Sequence, residues 1–248
     1  MNKVPGLNSN VFFDPVGLPF SQVPSFPSGA IAYYKLDETS GTTAIDSVAG
    51  NDGTNNGATV NVAGKIGKAY SFTVNDYVNL DAILSEIEDN TKGTICTWIK
   101  PVSALPSSPK MIFSVSNKSG LTHLIINIKA TTGLARVVLV QEGIINFIIE
   151  TTVAPFTDDT WSHITVIQDV TPKIYIDNIE VAQTLTGGST ADWLNDLTGL
   201  DAVRIGSLNW NSSGEKFFYE GLIDELCYFN RGLTSNEREY VMNNTYPS

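Results

Sequence analysis

Few residues in this chain are placed to do chemistry. The first is Asp224, in the stretch YEGLIDELCYFNRGLTSNE (residues 219–237). It sits in an apolar run of period two. Leu222, Asp224, Leu226 and Tyr228 fall on one side, and Ile223, Glu225, Cys227 and Phe229 on the other. Both sides are largely apolar, so the run reads as a central strand covered on both faces. A carboxylate in such a strand needs hydrogen-bond donors or a cation. The second group is the loop DSVAGNDG (residues 46–53), where Asp46, Asn51, Asp52 and loop carbonyls offer the hard oxygen ligands that calcium prefers. The alternative is that Asp46 caps its own loop and Asp224 accepts backbone N–H groups.

Other chemistries find less. Glycoside hydrolysis needs two carboxylates facing one cleft about 5–9 Å apart. Asp224 and Glu225 are adjacent and, on a regular strand, face opposite ways. Glu220 shares a face with Asp224 but lies beside Gly221 where the strand begins, so no catalytic residue is assigned and the chain reads as a non-enzyme. His123 and His163 are the only histidines, and His163 reads as a structural residue of its strand. No nucleophile motif or phosphate-binding glycine spacing occurs. Surface recognition is better served. The segment SLNWNSSGE (residues 207–215) flanks Trp210 with Asn209 and Asn211, and Trp193 stands near Asp192 and Asn195. An aromatic platform with amide and carboxylate neighbours suits a sugar; a tryptophan plugging the edge of the core is the other reading of each.

The elements that must position these residues are strands. Val- and Ile-rich runs of four to nine residues recur, separated by Gly, Asn and Asp turns. Asp177-Asn178 reads as a two-residue hairpin turn, because both residues tolerate positive φ. Residues 37–56 read as one long polar loop, and 179–185 as one strand. After Asn230-Arg231-Gly232 a short helix begins, with Thr234 as N-cap and Glu237 completing a capping box. The expected fold is all-β, a two-sheet antiparallel jelly-roll sandwich over residues 29–248.

Residues 1–28 read as a separate extended arm. Pro5, Pro15, Pro19, Pro24 and Pro27 favour a polyproline-like path. Phe12, Phe13, Phe20 and Phe26 are too many aromatics for a solvating linker, so the arm is expected to bind other subunits of a larger assembly. The stretch has no uninterrupted apolar segment of the kind a secretory leader carries, and nowhere is there a run long enough to span a bilayer. The 248 residues suit one large β domain, and 42% hydrophobic content suffices for its core. A net charge of −11 without a basic cluster argues against nucleic acid and anionic membranes as partners. Cys96 and Cys227 are too few for a disulfide framework; both are expected on central strands as buried free thiols, with a single cross-strand bridge as the alternative.

Taken together, 219–237, the opening block 32–72, GTICTWIKP (residues 93–101), DTWSHITVI (159–167) and KIYIDNIEVA (173–182) resemble the laminin-G-like, concanavalin-A-like jelly rolls in order and spacing. The resemblance runs from residue 30 to 246. It implies that the first and last strands are neighbours. It also implies that Asp46 and Asp224 occupy the positions where such domains often share a structural calcium ion, which Asn51 of the same loop would help to hold. For function it implies a lectin-like, non-catalytic module. With an acidic chain and a Pro/Phe arm, the expectation is display on a phage or virion surface, presenting glycan- or protein-binding loops. A purely structural decoration protein, or a secreted or cell-surface carbohydrate-binding module, is the alternative.

Overall fold

Runs such as HLIINI and ARVVLVQ are apolar on one or both faces of an extended chain and bury that surface only by stacking two sheets. The computed structural model describes residues 26–210 and 213–244, and they form this sandwich. Sheet I has eight strands. Its path runs β14 (Ile179–Glu180), β13 (Lys173–Ile176), β12 (Ser162–Gln168), β7 (Gly93–Pro101), β19 (Gly221–Phe229), β5 (Lys68–Phe72), β4 (Thr59–Ala63). β1 (Ala30–Tyr34) joins the same side of β19 as β5, further along. Sheet II has nine strands: β15 (Gln183–Gly187), β11 (Ile144–Thr151), β10 (Ala135–Gln141), β9 (His123–Ile128), β8 (Lys110–Ser116), β16 (Ala202–Ile205), β6 (Tyr77–Asn79), β3 (Gly53–Asn56), β2 (Thr43–Ala44). A hairpin of β17 (Leu208–Asn209) and β18 (Glu215–Lys216) stands apart from both. Tyr34, Phe72, Ile99, Ile164 and Tyr228 of sheet I meet Val78, Phe113, Ile126, Val137 and Phe147 of sheet II in the main core.

Two sequence expectations change. The polar stretch 37–56 contributes β2 and β3 to the edge of sheet II. The single strand expected over 179–185 is two, and they leave for different sheets: β14 pairs β13 while β15 pairs β11. Others hold. Asp177 and Asn178 have φ of 50° and 64°, as the hairpin turn demands. The helix is α2 (Ser235–Asn243), and Thr234 and Glu237 form its capping box. A one-turn helix, α1 (Leu84–Ile87), follows a 3-10 turn.

The main departure lies in β19. Pairing with β7 is regular from Gly221 to Asp224, then shifts by one residue, so that Cys227 faces Cys96. Glu225 carries the irregularity, with φ of 56°, a left-handed conformation that glutamate rarely adopts. The bulge reverses the alternation expected from the sequence. Leu226 and Tyr228 join Ile223 in the main core, while Cys227 and Phe229 turn to the outer face. There a second small core forms from Tyr33, Cys96, Cys227, Phe229, Leu233 and Val241, with Phe26 and Ala30 against it. Phe26 stacks on Tyr33 and Phe229 at ring distances of 5.0 and 5.6 Å. Packing onto the domain therefore already includes Phe26, ahead of the boundary expected after residue 28. Phe12, Phe13 and Phe20 lie outside the described residues.

Candidate functional site

The bulge settles what Asp224 does. Its Oδ2 accepts the N–H groups of Lys65 and Ile66, at 2.9 and 3.0 Å, in the tight turn between β4 and β5. Gly64 is required beside it, because a Cβ there would stand 2.7 Å from Oδ2 and closer still to the Lys68 backbone. Oδ1 is buried without a hydrogen-bond partner. Glu225 points to the same outer side, where one oxygen accepts the Tyr33 hydroxyl and the other is likewise unpartnered. The two residues are 0% and 1% exposed. Burial pushes the Asp224 carboxyl up to about 8, helped by the charges of Glu225 and Asp37 against the opposing pull of the two amides. Burial likewise pushes Glu225 up to about 7.

Asp46 is held elsewhere, at the bridge from Tyr34. Its two oxygens accept four backbone N–H groups, from Tyr33, Val48, Ala49 and Asn51, at 2.9–3.1 Å. A carboxylate has about four lone-pair positions, so none is left for a cation. Asn51 is occupied too: its amide serves Asp46 and its carbonyl accepts the Tyr34 hydroxyl at 2.7 Å. Among the described residues no group of three or more His, Cys, Asp or Glu side chains is arranged to hold a metal. Asp46 thus does not fit a calcium ion shared with Asn51 and Asp224, because amides already take both of its oxygens; of the Asp224 oxygens Oδ2 is taken in the same way and Oδ1 is buried. The pair Asp224–Glu225 does share a face, contrary to the regular-strand expectation, yet both are sealed from solvent and offer a substrate no approach.

The two tryptophan candidates part company. Trp193 is 0% exposed, lies in the main core and donates Nε1–H to the Tyr228 hydroxyl at 3.2 Å. It is a plug and not a ligand platform, which corrects one of the two expectations for it. Trp210 is half-buried and packs outside the main core. The β17–β18 hairpin lies over β8 on the outer face of sheet II. Ser114 and Ser116 donate their hydroxyls to the carbonyls of Ser207 and Asn209, at 2.8 and 3.0 Å. Glu215 braces the hairpin, accepting from Arg204 Nε, Ser207 Oγ and Asn209 Nδ2 at 2.7–3.0 Å. Asn209 is thus a structural tie within the hairpin; Asn211 lies outside the described residues.

So braced, Trp210 stands 5.6 Å from the His123 ring and 6.1 Å edge-on from Phe217. It packs against a floor of Met111, Ile125, Val138, Val140 and Leu208 with Ile148. His123 holds its tautomer by Nδ1 against the Gly120 carbonyl at 3.3 Å, and burial pushes it down toward the neutral ring. Beside the apolar floor, Lys129 and Arg136 both reach Glu150 at 3.0 Å. Asn127 is buried next to them with its Oδ1 unpartnered. The floor residues are themselves buried under this layer, so what the face presents is the half-buried indole beside a polar bank, which can hold a sugar ring by stacking and its hydroxyls by hydrogen bonds. Only Trp210 of this set was named from sequence as a ligand contact. Phe217 follows β18 in a bend, while His123, Arg136 and Glu150 belong to three different strands, where only a period-two outward position could have marked them.

A family model described as concanavalin A-like lectin/glucanases superfamily (Laminin_G_3) matches residues 72–237. No curated protein sequence matches. Among solved structures, the fold is similar to domain 4 of AbnA, an extracellular GH43 arabinanase from Geobacillus stearothermophilus, in complex with arabinotriose. The identity is 19%, the coverage 86% of this chain and 97% of that one, and the TM-score 0.63. It is also similar to the CBM40 of the Ruminococcus gnavus IT-sialidase bound to α2,3 sialyllactose, at 15% identity, 78% and 98% coverage and a TM-score of 0.58. The NanB sialidase of Streptococcus pneumoniae matches at 18% identity and a TM-score of 0.58, over 69% of this chain and 27% of its own, so the present chain spans about a quarter of that protein. At these identities the likeness establishes the fold.

Proposed function

The chain belongs to the concanavalin A-like lectin/glucanase superfamily, and from that premise we propose that it is a non-catalytic glycan-binding module whose ligand face is the outer surface of sheet II beside Trp210. The observation that carries the reading is the braced hairpin. Five hydrogen bonds, from Ser114, Ser116, Arg204, Ser207 and Asn209, hold Trp210 at the rim of an apolar floor that Ile145, 51% exposed, continues. Rigid aromatic positioning is what stacking on a sugar needs. The arabinanase domain and the CBM40 among its structural neighbours are described with bound sugars, which supports the class of ligand.

The proposal extends to a setting. Residues 1–25 anchor the module to other subunits of a larger assembly, and a phage or virion surface is the setting favoured by the acidic charge and the Pro/Phe-rich arm. A secreted or cell-surface module within a larger enzyme is the second reading, favoured by the match to one quarter of a sialidase. Among the described residues no helix is long and apolar enough to cross a membrane.

A glycan array with the full chain and with Trp210→Ala tests the binding site. We expect the wild type to bind a defined set of glycans and the variant to lose binding tenfold or more, about 1.4 kcal/mol, with its melting temperature kept. Absence of any glycan ligand for the wild type sinks the reading. Binding unaffected by Trp210→Ala moves the site off this face.

A further inference from the structure

The bulge in β19 has a chemical result. On a regular strand Cys227 would face the core opposite Ile95, one position away from Cys96. The extra residue at Glu225 instead brings Cys227 directly opposite Cys96, on the outer face of adjacent antiparallel strands. Residues so paired have Cα atoms about 4.5–5.5 Å apart, within the range of about 4.4–6.8 Å that a disulfide spans. The sequence offers no other cysteine. A left-handed glutamate inside a central strand is strained, and the facing of the two thiols is what this conformation produces.

We propose that Cys96 and Cys227 are a disulfide-forming pair, oxidised while the chain folds and then sealed beneath Phe26, Leu233 and Val241. The chemistry is thiol–disulfide exchange with a small disulfide such as oxidised glutathione, or with a protein disulfide donor. One cysteine thiolate attacks a donor sulfur, forming a mixed disulfide and expelling one donor thiolate. The second cysteine thiolate attacks the protein sulfur of that intermediate, forming the Cys96–Cys227 bond and expelling the other donor thiolate. Two protein thiols are oxidised, one donor disulfide is reduced, and two protons pass to the released thiolates. In the folded chain both sulfurs are buried and free, as expected from the sequence. Burial, with the neighbouring Cys96 thiol, pushes the Cys227 thiol well up, so little thiolate is present to start the exchange. The state reached during folding therefore persists: a chain folded in a reducing compartment keeps two thiols, and one folded among disulfides keeps a bridge.

The test uses the full chain. Reduced, unfolded protein is refolded in a glutathione redox buffer, quenched with an alkylating agent, and analysed by intact mass and peptide mapping. The expected product lacks two hydrogens, takes up no alkyl group and yields one cross-linked peptide joining Cys96 to Cys227. Its melting temperature is expected about 5–10 °C above that of the reduced form, because the bond closes a loop of more than half the chain. Two alkylated thiols, or separate glutathione adducts, would overturn the proposal. Native reduced protein in the same buffer should convert at least tenfold more slowly than refolding protein; equal rates would overturn the sealing. Cys96→Ser taken through the refolding should leave Cys227 free or glutathionylated and gain no thermal stability; an equal gain in that variant would also count against the bridge.

Discussion

On the outer face of sheet I, Tyr33, Cys96, Cys227 and Phe229 are buried beneath Phe26, Leu233 and Val241. On the outer face of sheet II, the corresponding apolar layer of Met111, Ile125, Val138, Val140 and Leu208 carries the Trp210 hairpin over β8, and its continuation at Ile145, paired with Val140, is 51% exposed. The same sandwich has thus finished its two faces differently. The sheet I face is capped by α2, tied down by Trp98 Nε1–H to the Met242 carbonyl at 2.9 Å and by Arg238 stacked 3.9 Å over Tyr175. The contrast separates polar groups that serve the fold from those that the proposed binding face presents. Asp46 and Asp224 belong to the first kind; the bank of Lys129, Arg136 and Glu150 belongs to the second in that proposal.

The largest effect that sharpens this contrast comes from the two tryptophans. Trp193→Ala removes a fully buried indole and its bond to Tyr228 and should cost about 3–5 kcal/mol of stability, read as a large fall in the denaturation midpoint. Trp210→Ala, half-exposed on the open face, should cost under about 1 kcal/mol while abolishing sugar binding. Equal destabilisation by both would mean that the hairpin is as much a core element as the plug, and the distinction between the faces would fail.

How much of this was legible from sequence depends on the kind of signal. The strands, the Asp177-Asn178 turn and the Thr234–Glu237 cap rest on local rules and were visible. So was the family, through five ordered motifs. The Glu225 bulge was not, because after Gly221 the run LIDELCYF has no glycine or asparagine to announce a left-handed residue. With the bulge unseen, Leu226 and Cys227 were assigned to the wrong faces, and Asp224 and Glu225 were set on opposite sides. Trp193 and Trp210 carry a similar local signature, a tryptophan among asparagine and acidic residues. Only tertiary packing distinguishes a plug from a rim. Asp46 looks the same in sequence whether it binds calcium or four amides, since both uses want a carboxylate in a tight polar loop.

The covered face can be opened at its edge. Deleting residues 1–25 should leave the melting temperature nearly unchanged and, in the proposed assembly, abolish incorporation. Extending the deletion through Phe26 to residue 28 also removes the ring on Tyr33 and Phe229 and the Ser28 carbonyl that Arg231 holds at 2.9 Å. That should cost about 1.5–3 kcal/mol. A domain that ignores the longer deletion would show that Phe26 is not part of the cap, and one unfolded by the shorter deletion would place the arm in the domain's own core.

The smallest effect concerns the carboxylates under the cap, and its sign follows from their raised values. Asp224 and Glu225 keep protons in the folded chain up to about 8 and about 7, whereas in the unfolded chain they release them near 4. The folded state therefore binds more protons between those limits, and this contribution to stability is full below about pH 4 and lost as pH rises to about 8. His163 works the other way, since burial pushes it down to about 3 and its contribution grows with pH until about 6.5. The carboxylates are thus read most clearly between about pH 6.5 and 8.5, where the melting temperature should fall by a few degrees. Asp224→Asn keeps an oxygen for the Lys65 and Ile66 amides and removes one titration, so the slope should roughly halve, and adding Glu225→Gln should flatten it. Calcium gives the control. If backbone amides already satisfy Asp46, neither a chelator nor added calcium should shift the melting temperature at any pH in the window. A calcium-dependent rise that Asp224→Asn removes would mean that the ion displaces these amides, and the carboxylates would then belong with the ligand-facing groups.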